Sequence, residues 1–284
     1  MTEIKYPCMI DMPDKEYFQH PAIDQTSLKN FITSPREYAW KKLHHDYDSP
    51  ALQFGKAAHS LVLGSGPTVE ERLDWRTKEG KLQAKRCETE ETVALSKTDY
   101  ERLMEMTDYK PDMSKLAEGK PEIALFATDP TTGLHLKGKI DWLPDTPDAE
   151  NTMWLYDYKT TGHDATDFTG SAYKFGYHIQ AAFYMRLYRL VSDWQGRMGF
   201  RFVVQEKQAP YDWMVWEFKD TDPEITQVAE QQIDKALNGL KFYIDHDIPL
   251  SDMLRLGHPK MPTPIRFTDW QMNHLIGDDE QWRM

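Results

Sequence analysis

A chain of 284 residues, 40% hydrophobic and with nine Trp and fourteen Tyr, can bury a sizeable core, which excludes a disordered polypeptide. Its formal net charge of −12 excludes a general nucleic-acid coat protein, because phosphate neutralisation drives non-specific binding, but leaves room for an enzyme with a local cationic channel. Two cysteines, Cys8 and Cys87, exclude a four-cysteine zinc or iron–sulfur site and a disulfide framework, and fit a reducing, cytoplasmic setting.

No apolar run reaches membrane-spanning length, and the opening MTEIKYPCMIDMPDKEYF lacks the cationic-then-apolar order of a signal peptide. IDQTSLKNF reads as a helix capped by Asp24 or Thr26, and Ser34-Pro35 restarts a second, PREYAWKKL. After the polar turn HHDYDSP, ALQFGKAAHSLVL is a third helix, whose Gly55, Ala57 and Ala58 would permit close packing. Residues 64–97 are charged and weakly periodic, which suggests an exposed, partly mobile segment, and a helix follows from about Asp99 to Tyr109.

EIALFATD, LHLKGKIDWLPD and TMWLYDYKTT then read as three strands, with turns at Asp129-Pro130 through Gly133 and across residues 144–151. SAYKFGYHIQAAFYMRLYRLVSD has helical periodicity. MGFRFVVQEK and DWMVWEFK read as strands divided at Ala209-Pro210, and DPEITQVAEQQIDKALNGLKFYIDH as a long amphipathic helix. The fold expected is a single α/β domain with a central mixed sheet flanked by helices. It divides into N-terminal helices over 1–110, a catalytic sheet with its helices over 120–247, and an irregular tail over 248–284.

Asp157-Tyr158-Lys159 lies on the third of these strands, where positions i and i+2 share a face. Asp141 sits on the preceding strand and a hairpin would bring it alongside. Two carboxylates can hold a hard divalent cation, which would stabilise a scissile phosphate and acidify a bound water, and the lysine would orient that water. An isolated D-x-K far more often describes a surface salt bridge on a hairpin. The wider set raises its meaning: His59 on a helix with small residues one turn earlier, and Gln180 with Tyr184 on one face of the helix after the D-x-K strand. Lysines and arginines cluster at Lys41 and Lys42, from Arg76 to Arg86, and at Lys137 and Lys139; each cluster also fits a solvated face.

The order H…D…D-x-K…Q-x-x-x-Y resembles that of RecB-like nucleases of the PD-(D/E)XK superfamily. The segments SLKNFITSPREYAW, ALQFGKAAHSLVL, RTKEGK, PEIALFATDPTTGLHLKGKIDWL, LYDYKTTGHDATDF and YHIQAAFYMRLY look closer still to RecE-type exodeoxyribonuclease VIII and its phage relatives, over residues 25–188. The resemblance implies that His59, Asp141, Asp157 and the Tyr158 carbonyl bind Mg²⁺, with Mn²⁺ tolerated, and that Lys159 is the catalytic lysine. Gln180 and Tyr184 would support the site or touch DNA. Glu122 would serve a second cation or positioning, or be an exposed strand-end carboxylate. Lys139-Ile140 stands where relatives often carry arginine and proline, and Tyr158 where they often carry an aliphatic residue; neither change removes a ligand.

Ser34 and Arg36 could hold a DNA 5′ phosphate, or be an ordinary cap and a surface arginine. His44, His45, Asp46 and Asp48 read as a solvated turn. The function implied is 5′→3′ degradation of linear double-stranded DNA, leaving 3′ tails for recombination, in the cytoplasm of a bacterial cell or phage-infected host. A single-strand annealing protein would be the partner and a homo-oligomeric ring the assembly. An endonuclease of the same superfamily, an inactive DNA-binding member, and an acidic DNA mimic are the alternatives. The mimic is disfavoured because 34 lysines and arginines interleave the acids.

Overall fold

The computed structural model describes residues 4–44, 49–89, 92–257, 264–266 and 272. His45, Asp46 and Asp48 of the polar turn lie outside the described residues. Strand β1 (Cys8–Asp11) and helix α1 (Asp14–Gln19) open the fold, in a stretch whose mixed charged and apolar sequence shows neither element. Helix α2 (Gln25–Thr33) begins at Asp24, whose carboxylate accepts the Ser27 N–H at 2.7 Å, so Asp24 rather than Thr26 is the cap. Ser34 repeats the device for α3 (Pro35–Leu43) by accepting the Glu37 N–H at 3.0 Å. Helix α4 (Pro50–Leu63) stops at Gly64, whose φ of 68° needs a residue without a Cβ.

The stretch 64–97, expected to be exposed and loosely ordered, instead folds into strand β2 (Thr68–Glu71), helix α5 (Lys78–Glu88) and strand β3 (Thr92–Leu95), with β2 and β3 parallel. Its order rests on a polar hub. The buried Gln83 amide donates to Glu70 and to the Glu71 carbonyl and accepts the Leu73 and Trp75 N–H groups. Helix α5 buries only Gly80 and Gln83, so it carries no apolar stripe for a periodicity search to find.

Helices α6 (Lys97–Asp108) and α7 (Met113–Leu116) lead into strands β4 (Gly119–Thr128), β5 (His135–Pro144) and β6 (Thr152–Thr161). The helix expected over 171–193 is two helices, α8 (Thr169–Lys174) and α9 (Tyr177–Ser192), parted at Gly176 with φ 62°. Strands β7 (Arg197–Glu206) and β8 (Trp213–Lys219), helix α10 (Pro223–Asp245) and the short α11 (Leu250–Met253) complete the chain. Met253 is buried in the main core, so the segment read as an irregular tail contributes a packed turn of helix.

Six strands form one mixed sheet in the order β1-β4-β5-β6-β7-β8, antiparallel except for β6 beside β7. One face, with Leu125, Leu136, Ile140, Leu155, Phe200 and Phe202, packs on α2, α9 and α10. The other, with Trp142, Trp154, Tyr156, Tyr158 and Val203, packs on α4 and α6. Ala57 and Ala58 are fully buried there, whereas a Cβ built on Gly55 meets nothing within 4 Å, so Gly55 has no close-packing role. Cys8 and Cys87 are free, and no helix among the described residues is long and apolar enough to cross a membrane.

Candidate active site

Strands β5 and β6 part where the acids lie. Trp142 opposite Tyr156 is the pair recorded between them, while β6 continues in register with β7 from Thr152 to Thr161. In the opening, an Asp141 carboxylate oxygen accepts the Tyr158 N–H at 2.7 Å. Asp157 and Lys159 face α9, as a period of two requires, and the intervening Tyr158 turns away to donate its hydroxyl to Gln205 at 2.7 Å.

Helix α4 brings His59 to the same place from the other face of the sheet. Its Nε2 lies 2.7 Å from Asp141 Oδ2 and its Nδ1 3.3 Å from Glu122 Oε1. One ligand atom each from His59, Glu122 and Asp141 fall within 4.8 Å of one another. Glu122 holds a φ of 59° inside β4, a left-handed conformation that costs a non-glycine residue ~1–3 kcal/mol and is typical of functional positions. Lys139 of β5 pairs with Glu122 at 2.7 Å and with Asp14 at the start of α1. No sequence signal marked Asp14, and Lys139 stood out as half of a basic pair with Lys137 and as the residue two before Asp141.

Gln180 and Tyr184 are side by side on α9. The buried Gln180 amide donates to Asp157 Oδ1, which fixes the carboxylate, while Tyr184 packs against Gly138, where an added Cβ would lie 2.7 Å from its ring. Asp157 Oδ2 is buried and pairs with the Lys159 ammonium. His59, Glu122, Asp141, Asp157 and Lys159 line one cleft of about 930 Å³, with Phe18 and Leu52 on its walls. Ser34 and Arg36 do not line it: the Ser34 hydroxyl is spent on its cap, and Arg36 is exposed.

Burial pushes the Asp157 carboxyl up to about 6, with the neighbouring Asp141 charge adding and the Lys159 charge opposing. Asp141 moves the other way: burial resists its ionisation, but the His59 charge and hydrogen bond and Lys159 hold it below the ordinary carboxylate range. Burial also works against the His59 imidazolium, but Asp141 and Glu122 override it and raise its pKa to about 10. Lys159 is raised likewise, the Asp157 and Asp141 charges outweighing burial. A divalent cation among these groups would compete with the His59 proton for the same carboxylates.

The donor set fits such a cation. It offers hard carboxylate oxygens and one imidazole whose ligand atoms already converge within 4.8 Å, which is the ligand chemistry of magnesium or manganese. Some members of the basic clusters are engaged within the protein, while Lys78, Lys81 and Lys85 stay exposed on α5. Lys137 is buried and donates to the Tyr17 and His20 carbonyls at 2.7 and 2.8 Å, while Arg76 pairs with Asp74 and Arg86 with Glu70.

The sequence profile of the PDDEXK-like domain of unknown function DUF3799 matches residues 25–246, most of the chain and every residue of this cluster except Asp14. The chain belongs to the DUF3799 family of PDDEXK-like domains. The crystal structure of a candidate exonuclease from Eubacterium rectale superposes on this DUF3799 domain with a TM-score of 0.58 at 16% identity, covering 90% of this chain and 97% of that chain, and establishes the shared fold. SSO0001 (TM-score 0.31, 9% identity, 81% of this chain and 94% of that chain) and Candida albicans Rai1 in complex with pU5-Mn²⁺ (0.29, 13%, 85% and 72%) superpose too loosely to carry an argument. No curated protein matches the DUF3799 sequence.

Proposed function

We propose that this DUF3799 domain is a divalent-metal-dependent DNA nuclease that degrades linear duplexes from the 5′ end. The observation that carries the reading is the convergence of His59, Glu122 and Asp141 within 4.8 Å, beside the D-x-K pair Asp157 and Lys159, in one open cleft. His59, Glu122, Asp141, Asp157 and the Tyr158 backbone would hold Mg²⁺ or Mn²⁺. When bound, the cation supplies Lewis-acid stabilisation of phosphate charge and a more acidic water.

The chain's own groups do the rest. Lys159 keeps its proton, because two carboxylates favour its ammonium, and it serves as a donor that orients the attacking water toward phosphorus. Gln180 holds Asp157 in place, and Lys139 holds Glu122. Exonuclease action with 5′→3′ polarity, a role in recombination, a single-strand annealing partner and a homo-oligomeric ring are supported by the likeness to RecE-type enzymes. The cytoplasmic setting fits two free thiols.

Incubation of the purified protein with end-labelled linear duplex and with closed circular DNA, with Mg²⁺ and with EDTA, tests this reading. Loss of the 5′ label as mononucleotides from linear DNA, in Mg²⁺ alone and with circles intact, is expected. Cutting of circles at a comparable rate would replace it with an endonuclease. Binding of DNA without hydrolysis under all conditions would make the domain an inactive member of its family.

A further inference from the structure

The segment joining β6 to α9 puts large aromatic rings in water outside the cleft, with the Tyr177 ring between Phe175 and the candidate catalytic lysine. Tyr173 is 87% exposed and Phe175 50% exposed, one at the end of α8 and the other just after it. Rings of this size normally repay their ordering by burial, and here the core is supplied by their neighbours instead. Tyr177 stacks on Phe168 and Phe202, with centroids 5.4 and 5.2 Å away, and anchors the segment.

Lysines alternate with these rings. Lys174 lies 5.4 Å from the Phe175 centroid, and Lys159 and Lys29 approach the Tyr177 ring at 5.4 and 5.8 Å. Lys29 also donates to the Phe175 carbonyl at 3.2 Å, which ties the segment to α2. The surrounding sequence is free of acid: residues 168–192 contain no Asp or Glu in a chain that carries 46. A polyanion meets no repulsion from this stretch, although the protein as a whole is strongly acidic.

We propose that Tyr173, Lys174 and Phe175 form a stacking platform for unpaired DNA bases at the approach to the cleft, separated from Lys159 by the Tyr177 ring. The proposal rests on the nuclease reading of the cleft and deepens it by naming the substrate form. Ring faces accept base faces without regard to sequence, and only unpaired nucleotides offer theirs, because a duplex stacks its bases on one another. Lys174 neutralises the adjoining phosphate. Gly176, with φ 62°, lets the chain turn between α8 and α9, so the platform on α8 and its C-cap directly precedes the helix whose Gln180 holds Asp157.

The test is fluorescence anisotropy with a labelled twelve-nucleotide single strand and a blunt duplex of the same sequence. Both are titrated with wild type and with Tyr173→Ala/Phe175→Ala in EDTA, then with phosphorothioate strands in Mg²⁺. The double variant should bind the single strand at least about tenfold more weakly, with a smaller change for the duplex, and Tyr173→Trp/Phe175→Trp should restore binding. Urea midpoints should coincide, because both rings face solvent. Single-strand binding within twofold of wild type would overturn the platform. So would unchanged DNA binding together with a shifted gel-filtration volume, which would assign the rings to an interface between protein copies. Digestion of linear duplex by wild type in Mg²⁺, measured in parallel, separates the two ideas. Normal digestion with unaltered binding by the double variant removes only the platform, whereas absence of both digestion and DNA binding in wild type removes the nuclease reading and the platform with it.

Discussion

Replacing Asp157 with Asn measures what it costs to keep the central carboxylate dry. In EDTA, burial and the Asp141 charge push the Asp157 carboxyl from 3.8 up to about 6 even with Lys159 alongside. That displacement corresponds to about 3 kcal/mol of lost stability at neutral pH. The folded protein retains a proton that the unfolded chain has released, so this group's stabilising contribution is full below about pH 4. It declines from there and is gone above about pH 6. Asp157→Asn abolishes the titration and keeps the shape: the amide oxygen can face Lys159 and the amide nitrogen a rotated Gln180. Urea unfolding in EDTA at pH 7.5 should show the variant more stable by ~1–3 kcal/mol, with the gain shrinking to ~1 kcal/mol or less at pH 4.5, while DNA cleavage in Mg²⁺ is lost. Destabilisation by more than ~1 kcal/mol at pH 7.5, or a gain independent of pH, would refute the reasoning.

Asp141→Ala should weaken Mn²⁺ binding at least about tenfold by calorimetry, with cleavage partly restored by excess Mg²⁺, because one oxygen ligand is gone. Gly138→Ala places a Cβ 2.7 Å from the Tyr184 ring and should cost ~1–3 kcal/mol in urea, with slower cleavage as α9 and its Gln180 are displaced. Lys137→Met leaves the Tyr17 and His20 carbonyls without their shared donor and should cost ~2–3 kcal/mol by the same measurement.

Periodicity made much of the site legible. Asp157 and Lys159 share a face because β6 is a strand, and Gln180 and Tyr184 because α9 is a helix, so a one-dimensional pattern maps onto one side of each element. Strands β4 to β6 were visible for the same reason. What stayed hidden depends on polar contacts between distant segments. Helix α5 packs through Gln83 rather than an apolar stripe, and α1 is joined to β5 by Lys137 and by the pairing of Lys139 with Asp14. Lys137 looked like part of a basic surface and is a buried clamp. The break at Gly176 was masked by apolar residues on both sides that keep helical spacing across it.

The central claim is that Lys159 completes a metal-dependent hydrolytic site, and single-turnover cleavage of a labelled linear duplex by wild type and Lys159→Ala in saturating Mg²⁺ tests it most directly. Wild type should cleave only with the metal, and Lys159→Ala should be slower by about 100-fold or more while still binding Mn²⁺. Cleavage by Lys159→Ala at the wild-type rate, or wild-type cleavage undiminished in EDTA, would contradict it.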